Sequence, residues 1–384
     1  MNAPRIQRWT PEQGRRLLVV SDIHGNVPYF EGVLRRAGFS DRDELIIDGD
    51  FLEKGAESLR MLRILMELSR RGNTHVITGN CDDWYDIYRP DWDDRDDEKV
   101  LQYLLWRKSG LLWDMCNAAG LDPFEMGDFT AAKATLLRAF PAEWDFLKNL
   151  PHALETENFV FVHAGMRPDI PLEKHSVDEL VKVEHFLKLD RFFSKWVIVG
   201  HWPVMLYGRD RVCANPIIDR QKRIASIDGG CVLKDDGQLN CLIIPDIDSE
   251  DFSFAAYDPF PTAVALEDQE GGERSWYIRW GDSEVRVLER GEEFSRCRHV
   301  RTGYEMEILT KYLFTEEEVT GCNDSTDYVL PVRAGDELRI VEETSRGVLA
   351  KKDGVSGWYF GKIRKTGPWE QRDFDYRGRQ NRIG

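Results

Sequence analysis

The chain has 384 residues, with no C-x-x-C pair, no apolar run of membrane length and fewer bases than acids. Each absence excludes something. The seven cysteines, at positions 81, 116, 213, 231, 241, 297 and 322, are odd in number and scattered. They fit a reducing compartment rather than a disulfide framework. Nothing approaches the ~20 apolar residues of a membrane span. Residues 1–16 are polar and lack the apolar core of a signal peptide, so a cytoplasmic protein with no membrane partner is expected. Lysine and arginine total 52 against 68 aspartates and glutamates, a net charge of −16. That balance disfavours general nucleic-acid binding and docking on an anionic membrane. It leaves phosphorylated ligands open, because a bound metal brings its own positive charge.

What is present is a series of short apolar runs, each ending in a metal-binding residue type. Leu17-Leu18-Val19-Val20 leads through Ser21 into Asp22-Ile23-His24. Leu45-Ile46-Ile47-Asp48 leads into Gly49-Asp50, and His75-Val76-Ile77-Thr78 into Gly79-Asn80-Cys81-Asp82. Phe159-Val160-Phe161-Val162 leads into His163-Ala164-Gly165, and Trp196-Val197-Ile198-Val199 into Gly200-His201. Such runs read as strands of a sheet covered on both faces, and strand ends are where α/β sheets place their chemistry. Asp, Asn and neutral His suit Mn²⁺, Fe or Zn²⁺ better than Ca²⁺. One D-x-H is weak evidence; five such ends in one order are not chance.

The length implies two or three domains. Residues 15 to about 245 alternate strands with helical segments, and 57–71 carries Met61, Ile64, Leu65 and Leu68 on one helical face. Between the third and fourth motif strands, about 84–150, a helical insertion is expected, with helices near 100–116 and 129–150. The acidic run from Asp91 to Glu98 reads as a solvated loop or helix start rather than a second metal site. Residues 246–325 form a small β-rich or mixed region, strand-like at 252–301 and helical at about 304–318. Residues 326–366 resemble an SH3-like barrel, through Gly335-Asp336-Glu337-Leu338 and Gly357-Trp358-Tyr359. The polar tail, 367–384, is expected to be disordered.

Taken in order, Asp22-x-His24, Gly49-Asp50-Phe51-Leu52-Glu53-Lys54-Gly55, Gly79-Asn80, His163-Ala164-Gly165 and Gly200-His201 resemble the calcineurin-like metallophosphoesterase superfamily. The closest resemblance is to its phosphoprotein-phosphatase branch of bacterial Ser/Thr phosphatases and diadenosine tetraphosphatases. Leu150-Pro151 before His163 and Ile227-Asp228-Gly229-Gly230 after His201 favour that branch. The resemblance covers residues 15–245. It implies an α/β fold, a β-sandwich flanked by helices, within a catalytic domain at 1–245 and followed by the all-β C-terminal region. It implies two divalent metal ions, Mn²⁺ foremost and Fe or Zn²⁺ as alternatives. Asp22 and His24 hold the first, Asp50 bridges, and Asn80, His163 and His201 complete the second. A metal-bridging hydroxide then attacks phosphorus. Asn26 belongs near the substrate, and Asp48 reads as structural. The other five histidines, at 75, 152, 175, 185 and 299, read as ordinary structural residues.

Three positions depart from the branch. Cys81 stands where a general-acid His is usual, and Glu53 and Lys54 stand where Asp-Arg is usual. A thiol with a reference pKa of ~8.5 is a poor proton donor, so solvent or Asp82 is expected to protonate the leaving group. Lys54 offers a point charge in place of a guanidinium fork. Arg167 either supplies the missing fork or is a surface arginine before Pro168. The leading reading is a phosphomonoesterase of Ser/Thr protein phosphatase type, acting on a phosphorylated protein or small phosphoester. A phosphodiesterase or dinucleoside-polyphosphate hydrolase is the second. A scaffold acting through the SH3-like region, which would otherwise serve intramolecular packing or assembly, is the third.

Overall fold

The computed structural model describes residues 3–88 and 93–366. The chain divides into two compact units. The first comprises residues up to Pro203, Pro216–Val232 and Gln238–Asp258. It contains two sheets. In one, β2 (Leu17–Val20), β3 (Glu44–Asp48) and β4 (Thr74–Ile77) run parallel, flanked antiparallel by Leu239–Ile244 and then Ser253–Tyr257. In the other the order is β1 (Ile6–Arg8), β5 (Ala153–Glu155), β6 (Phe159–Val162), β7 (Trp196–Val199), Ile224–Ser226 and Ile217–Asp219. Within it β6, β7 and Ile224–Ser226 run parallel.

The strands are apolar throughout because both faces are covered. Leu17 and Val19 of β2 turn inward with Ile46, Phe161, Trp196 and Ile198, forming the sandwich core. Leu18 and Val20 turn the other way, into a core with Phe30, Leu62 and Leu65. That second core comes from α1 (Val27–Ala37) and α2 (Ser58–Ser69), the crossovers of β2-α1-β3-α2-β4. Val160, Val162, Val197 and Val199 face outward against Leu180 and Phe186.

Between β4 and β5 lie α3 (Asp94–Arg107), α4 (Leu111–Ala118), α5 (Thr130–Ala139) and α6 (Pro141–Asn149). Their Leu104, Leu112, Phe129 and Trp144 extend the α1–α2 core. The acidic run starts a helix. Asp93 caps α3, accepting from the Arg95 and Asp96 amides, with Asp96 closing a capping box. Asp97 is buried and ion-paired with Lys133 at 2.9 Å. Asp91 and Trp92 lie outside the described residues.

The second unit, Val204–Asn215, Leu233–Gly237 and, among the described residues, 259–366, is built mainly of strands. A six-stranded sheet has the order Ile363–Thr366, Thr262–Ala265, Glu337–Glu343, Val348–Lys352, Val355–Tyr359, Val212–Cys213. A three-stranded meander covers Val285–Glu289, Phe294–His299 and Glu305–Leu309. The helix expected at 304–318 is replaced by two strands, Glu305–Leu309 and Leu313–Glu316, joined by one 3₁₀ turn. The glutamates suggested a helix, but Met306 and Ile308 alternate with them at strand period, and both are buried against the Phe294–His299 neighbour. Pairing and burial outweigh a propensity difference of at most ~1 kcal/mol per residue. The tail 367–384 lies outside the described residues.

Leu65 is fully buried between α2 and the sheet. Leu65→Ala is expected to lower unfolding free energy by ~2–5 kcal/mol, whereas Glu67→Ala, on the exposed face of α2, should stay within ~0.5 kcal/mol. Urea denaturation of both variants checks the assignment of the two faces.

Candidate metal centre

Parallel pairing brings the carboxyl ends of β2, β3 and β4 to one edge, and those of β6, β7 and Ile224–Ser226 to another. The two edges meet. The His201 amide donates to Asp22 Oδ2 at 2.9 Å, and His163 Nδ1 lies 2.9 Å from the Asp48 carbonyl. The loops after β2 and β3 are laced together by Asp22 N–H to Gly49 O at 3.0 Å and His24 N–H to Asp50 O at 3.0 Å. Asp22, His24, Asp50, Glu53, Lys54 and His201 all have positive φ, between 51° and 65°. Non-glycine residues adopt that region only where the surroundings force it, and such strain gathers at functional sites. The motif glycines make room for the carboxylates. A Cβ at Gly200 would stand 2.2 Å from Asp22 Oδ2, and one at Gly79 2.2 Å from Asp50 Oδ1.

Asp50 is the centre of the arrangement. Its Oδ2 lies 4.0 Å from His24 Nε2, and its Oδ1 lies 3.3 Å from His163 Nε2. Two groups of ligand atoms therefore share this carboxylate. One is His24, Asp50 and Cys81; the other is Asp50, His163 and His201. In each, the atoms lie within 4.8 Å of one another. Asp22 Oδ1 is 3.9 Å from His24 Nε2. The backbone fixes two histidine tautomers. His24 Nδ1 faces the Leu52 carbonyl at 3.2 Å and His163 Nδ1 faces that of Asp48. A carbonyl can only accept, so each Nδ1 carries the hydrogen, and each Nε2 faces inward, where it offers a lone pair once deprotonated.

Several of the inward atoms lack a hydrogen bond. Asp22 Oδ1, His24 Nε2, Asn80 Oδ1 and His163 Nε2 are buried without a hydrogen bond, as are Asp228 Oδ2 and both Asp48 oxygens. Native structures rarely leave buried polar atoms unsatisfied, and here the orphans are all oxygen and imidazole donors. Burial raises Asp22 and Asp48 to about 7. Burial, with Asp22 beside it, raises Asp228 well above the carboxylate range. Burial lowers His24 and His201 to about 3, so both rings are neutral. Burial opposes the charged forms of Asp50 and His163 too, but their mutual attraction outweighs it, lowering Asp50 and raising His163. A space packed with carboxylates and imidazole lone pairs, and short of cations, fits divalent metal ions.

The remaining sequence candidates have distinct places. Asn80 is beside the cluster, its Nδ2 3.4 Å from Cys81 Sγ. Burial and then Asp50 push the Cys81 thiol well up, so it is held neutral. Asp82 is raised to about 8 by burial and then by Asp50, and its oxygens accept from the amides of Asp50, Leu52 and Gly79 at 2.7–3.0 Å, which pins the motif loops. Glu53 does not orient Cys81. Its oxygens take hydrogen bonds from Trp84 Nε1 at 2.8 Å, Tyr103 Oη at 2.7 Å and Leu111 N–H at 2.7 Å, tying the second motif to the insertion. Asn26 begins α1 without a side-chain cap. Burial opposes the charge on Lys54, but the acidic groups around it, Asp50 among them, outweigh that and raise its pKa. Arg167 pairs with Glu179 at 3.3 Å on the surface. Asp228, which the sequence offered as part of a branch motif and not as a site residue, joins the acidic cluster beside Asp22; its signal was the same strand-end pattern, an apolar run before Asp228-Gly229-Gly230.

A family model described as Calcineurin-like phosphoesterase matches residues 15–228, more than half of the chain. Over 63 residues the chain is 36% identical to the "Bis(5'-nucleosyl)-tetraphosphatase, symmetrical" of Wigglesworthia glossinidia brevipalpis, covering 16% of this chain and 22% of that protein. Over 64 residues it is 39% identical to the protein of the same name from Buchnera aphidicola subsp. Schizaphis graminum (strain Sg), covering 16% and 23%. The matched segments thus span less than a quarter of these relatives. The crystal structure of a metallophosphoesterase from Sphaerobacter thermophilus is 18% identical with a TM-score of 0.36, covering 64% of this chain and 89% of that one.

With Asp22 raised to about 7 and His163 also raised, metal binding at about pH 6 must displace protons from both. His24 and His201, lowered to about 3, have none to give. Mn²⁺ affinity of the metal-stripped protein is therefore expected to fall as pH drops below about 7. Calorimetric titration at about pH 6 should give heats that depend on the buffer's ionisation enthalpy; buffer-independent heats would contradict the assignment.

Proposed function

The chain belongs to the calcineurin-like phosphoesterase family, and on that premise we propose that it is a dinuclear phosphoester hydrolase acting foremost on phosphomonoesters. The observation that carries the reading is the shared Asp50 carboxylate, with one oxygen toward His24 and the other toward His163. Asp22 and His24 would hold one ion, with Asn80, His163 and His201 around the other. When bound, such a pair activates water and neutralises charge on the phosphoryl oxygens. Around it the chain's own groups position and orient. The carbonyls of Leu52 and Asp48 fix the two imidazoles, and Asp82 fixes the backbone that carries Asp50. Lys54 carries its charge beside the Asp50 cluster. Its charge favours a monoester dianion over a singly charged diester. Mn²⁺ is the ion the donor set suits first.

A second reading, a dinucleoside-polyphosphate hydrolase or phosphodiesterase, has its own support. The two curated relatives carry the tetraphosphatase name, and Cys81 offers a leaving group no ready proton. A polyphosphate leaving group is already acidic and needs none. Two groups of candidate ligand atoms sharing Asp50 support catalysis over a purely scaffolding role. The SH3-like reading of 326–366 rests on its strand motifs, and we assign that region to packing or assembly.

A Mn²⁺-supplemented panel of p-nitrophenyl phosphate, its bis ester, a phosphopeptide and a dinucleoside tetraphosphate tests the reading. Metal-dependent turnover of the monoesters is expected, with Asp50→Asn at least ~10²-fold slower. Turnover of the tetraphosphate alone would select the second reading, and none on any substrate would sink both. Cys81→His should speed hydrolysis of a poor-leaving-group monoester, within the ~10²–10⁴-fold range of general acid catalysis. An unchanged rate would show that leaving-group protonation does not limit the enzyme.

A further inference from the structure

The second motif carries a lysine where a guanidinium fork would serve a phosphate better, and the insertion places an unused fork beside it. Arg107 is the last residue of α3, and Lys108 ends the helix in a left-handed conformation with φ 53°. One turn earlier, on the same face, Tyr103 donates to Glu53 Oε2 at 2.7 Å. Four residues later, the Leu111 N–H donates to Glu53 Oε1 at 2.7 Å. Between them, a Cβ at Gly110 would stand 2.3 Å from Glu53 Oε2. Arg107 is thus held from both sides against the Glu53-Lys54 turn, near enough that the two cations weigh on each other.

Its Nε and Nη2 are buried and have no hydrogen-bond partner among the described residues. These two nitrogens form one edge of the guanidinium, the edge that grips two oxygens of a phosphate or carboxylate at once. Glu53 is near but does not take this edge, since its oxygens are filled by the indole, the phenol and the amide. A buried fork left empty is costly. An anion seated between it, Lys54 and the Asp50 cluster would satisfy both N–H groups.

We propose that Arg107 is the bidentate phosphate-binding residue of this site, gripping non-bridging oxygens of the substrate's phosphoryl group through its Nε–Nη2 edge while Lys54 adds a point charge. The inference rests on the hydrolase reading and deepens it. It places the phosphate clamp in the helical insertion, and the Glu53 hydrogen bonds are what hold the clamp to the second motif.

The competing role is charge compensation for buried Glu53, which would matter for folding and not for phosphate. The test uses the full-length Mn²⁺-loaded protein with inorganic phosphate as the probe. It measures the dissociation constant by calorimetry, the inhibition constant against p-nitrophenyl phosphate, the metal content and the melting temperature. Arg107→Ala is expected to weaken phosphate roughly tenfold to a hundredfold with metal content intact, the loss of charge-assisted hydrogen bonds. Arg107→Lys should recover only part, since it restores charge without the fork. Should the alanine variant fail to fold, the lysine variant decides alone. Wild-type phosphate affinity in whichever folded variant is measured overturns the proposal. Phosphate bound by the wild type and equally by the variant leaves the hydrolase reading standing. No phosphate binding by the wild type sinks both.

Discussion

The structure depends on one electrostatic constraint: a buried carboxylate shared between two imidazole clusters. Asp50 cannot sit in a dry interior with Asp22, Asp48 and Asp228 nearby unless positive charge comes with them. His163 supplies some, and raising the pKa of Asp22 and Asp48 to about 7 lowers the remaining charge. The inward Nε2 of His24 and the amide oxygen of Asn80 remain without partners. The same geometry that is unsatisfied as bare protein suits divalent cations. The positive-φ backbone at Asp22, His24, Asp50 and His201 is the conformational counterpart. Strain and desolvation are accepted locally because two packed sheets hold the strand ends where they are.

The sandwich makes this possible through alternation. In β2, Leu17 and Val19 bind the two sheets together while Leu18 and Val20 seat α1 and α2. That double anchoring leaves the strand little freedom to slide, so Asp22 and His24 arrive at fixed positions. Asp82 adds a second lock by accepting three backbone amides, two from the Asp50 loop and one from its own.

Much of this was legible in the sequence because each motif couples a local signal, an apolar run, to a chemical one, an Asp, Asn or His at its end. The alternation of strands with amphipathic α2 gave the crossovers for the same reason. What was not legible is what depends on distant partners. Glu53 stands in the second motif where Asp is usual, but Trp84 and Tyr103 claim it, and no pattern in the chain foretells that. Arg107 stands in an ordinary helical stretch; only the fold brings it to Lys54. Residues 304–318 are rich in glutamate and read as helix, yet Met306 and Ile308 answer to a neighbouring strand. Local propensity is weak wherever pairing and burial decide.

The insertion is joined to the candidate site through the Glu53 carboxylate, which accepts from Trp84, Tyr103 and Leu111. The most direct measurement of the central claim is metal stoichiometry combined with electron paramagnetic resonance on the Mn²⁺-saturated protein. Two ions bridged by Asp50 predict two equivalents of Mn²⁺ per chain and an exchange-coupled signal, lost when Asp50 is changed to Asn. A single equivalent with the signal of an isolated ion would contradict the shared-carboxylate centre.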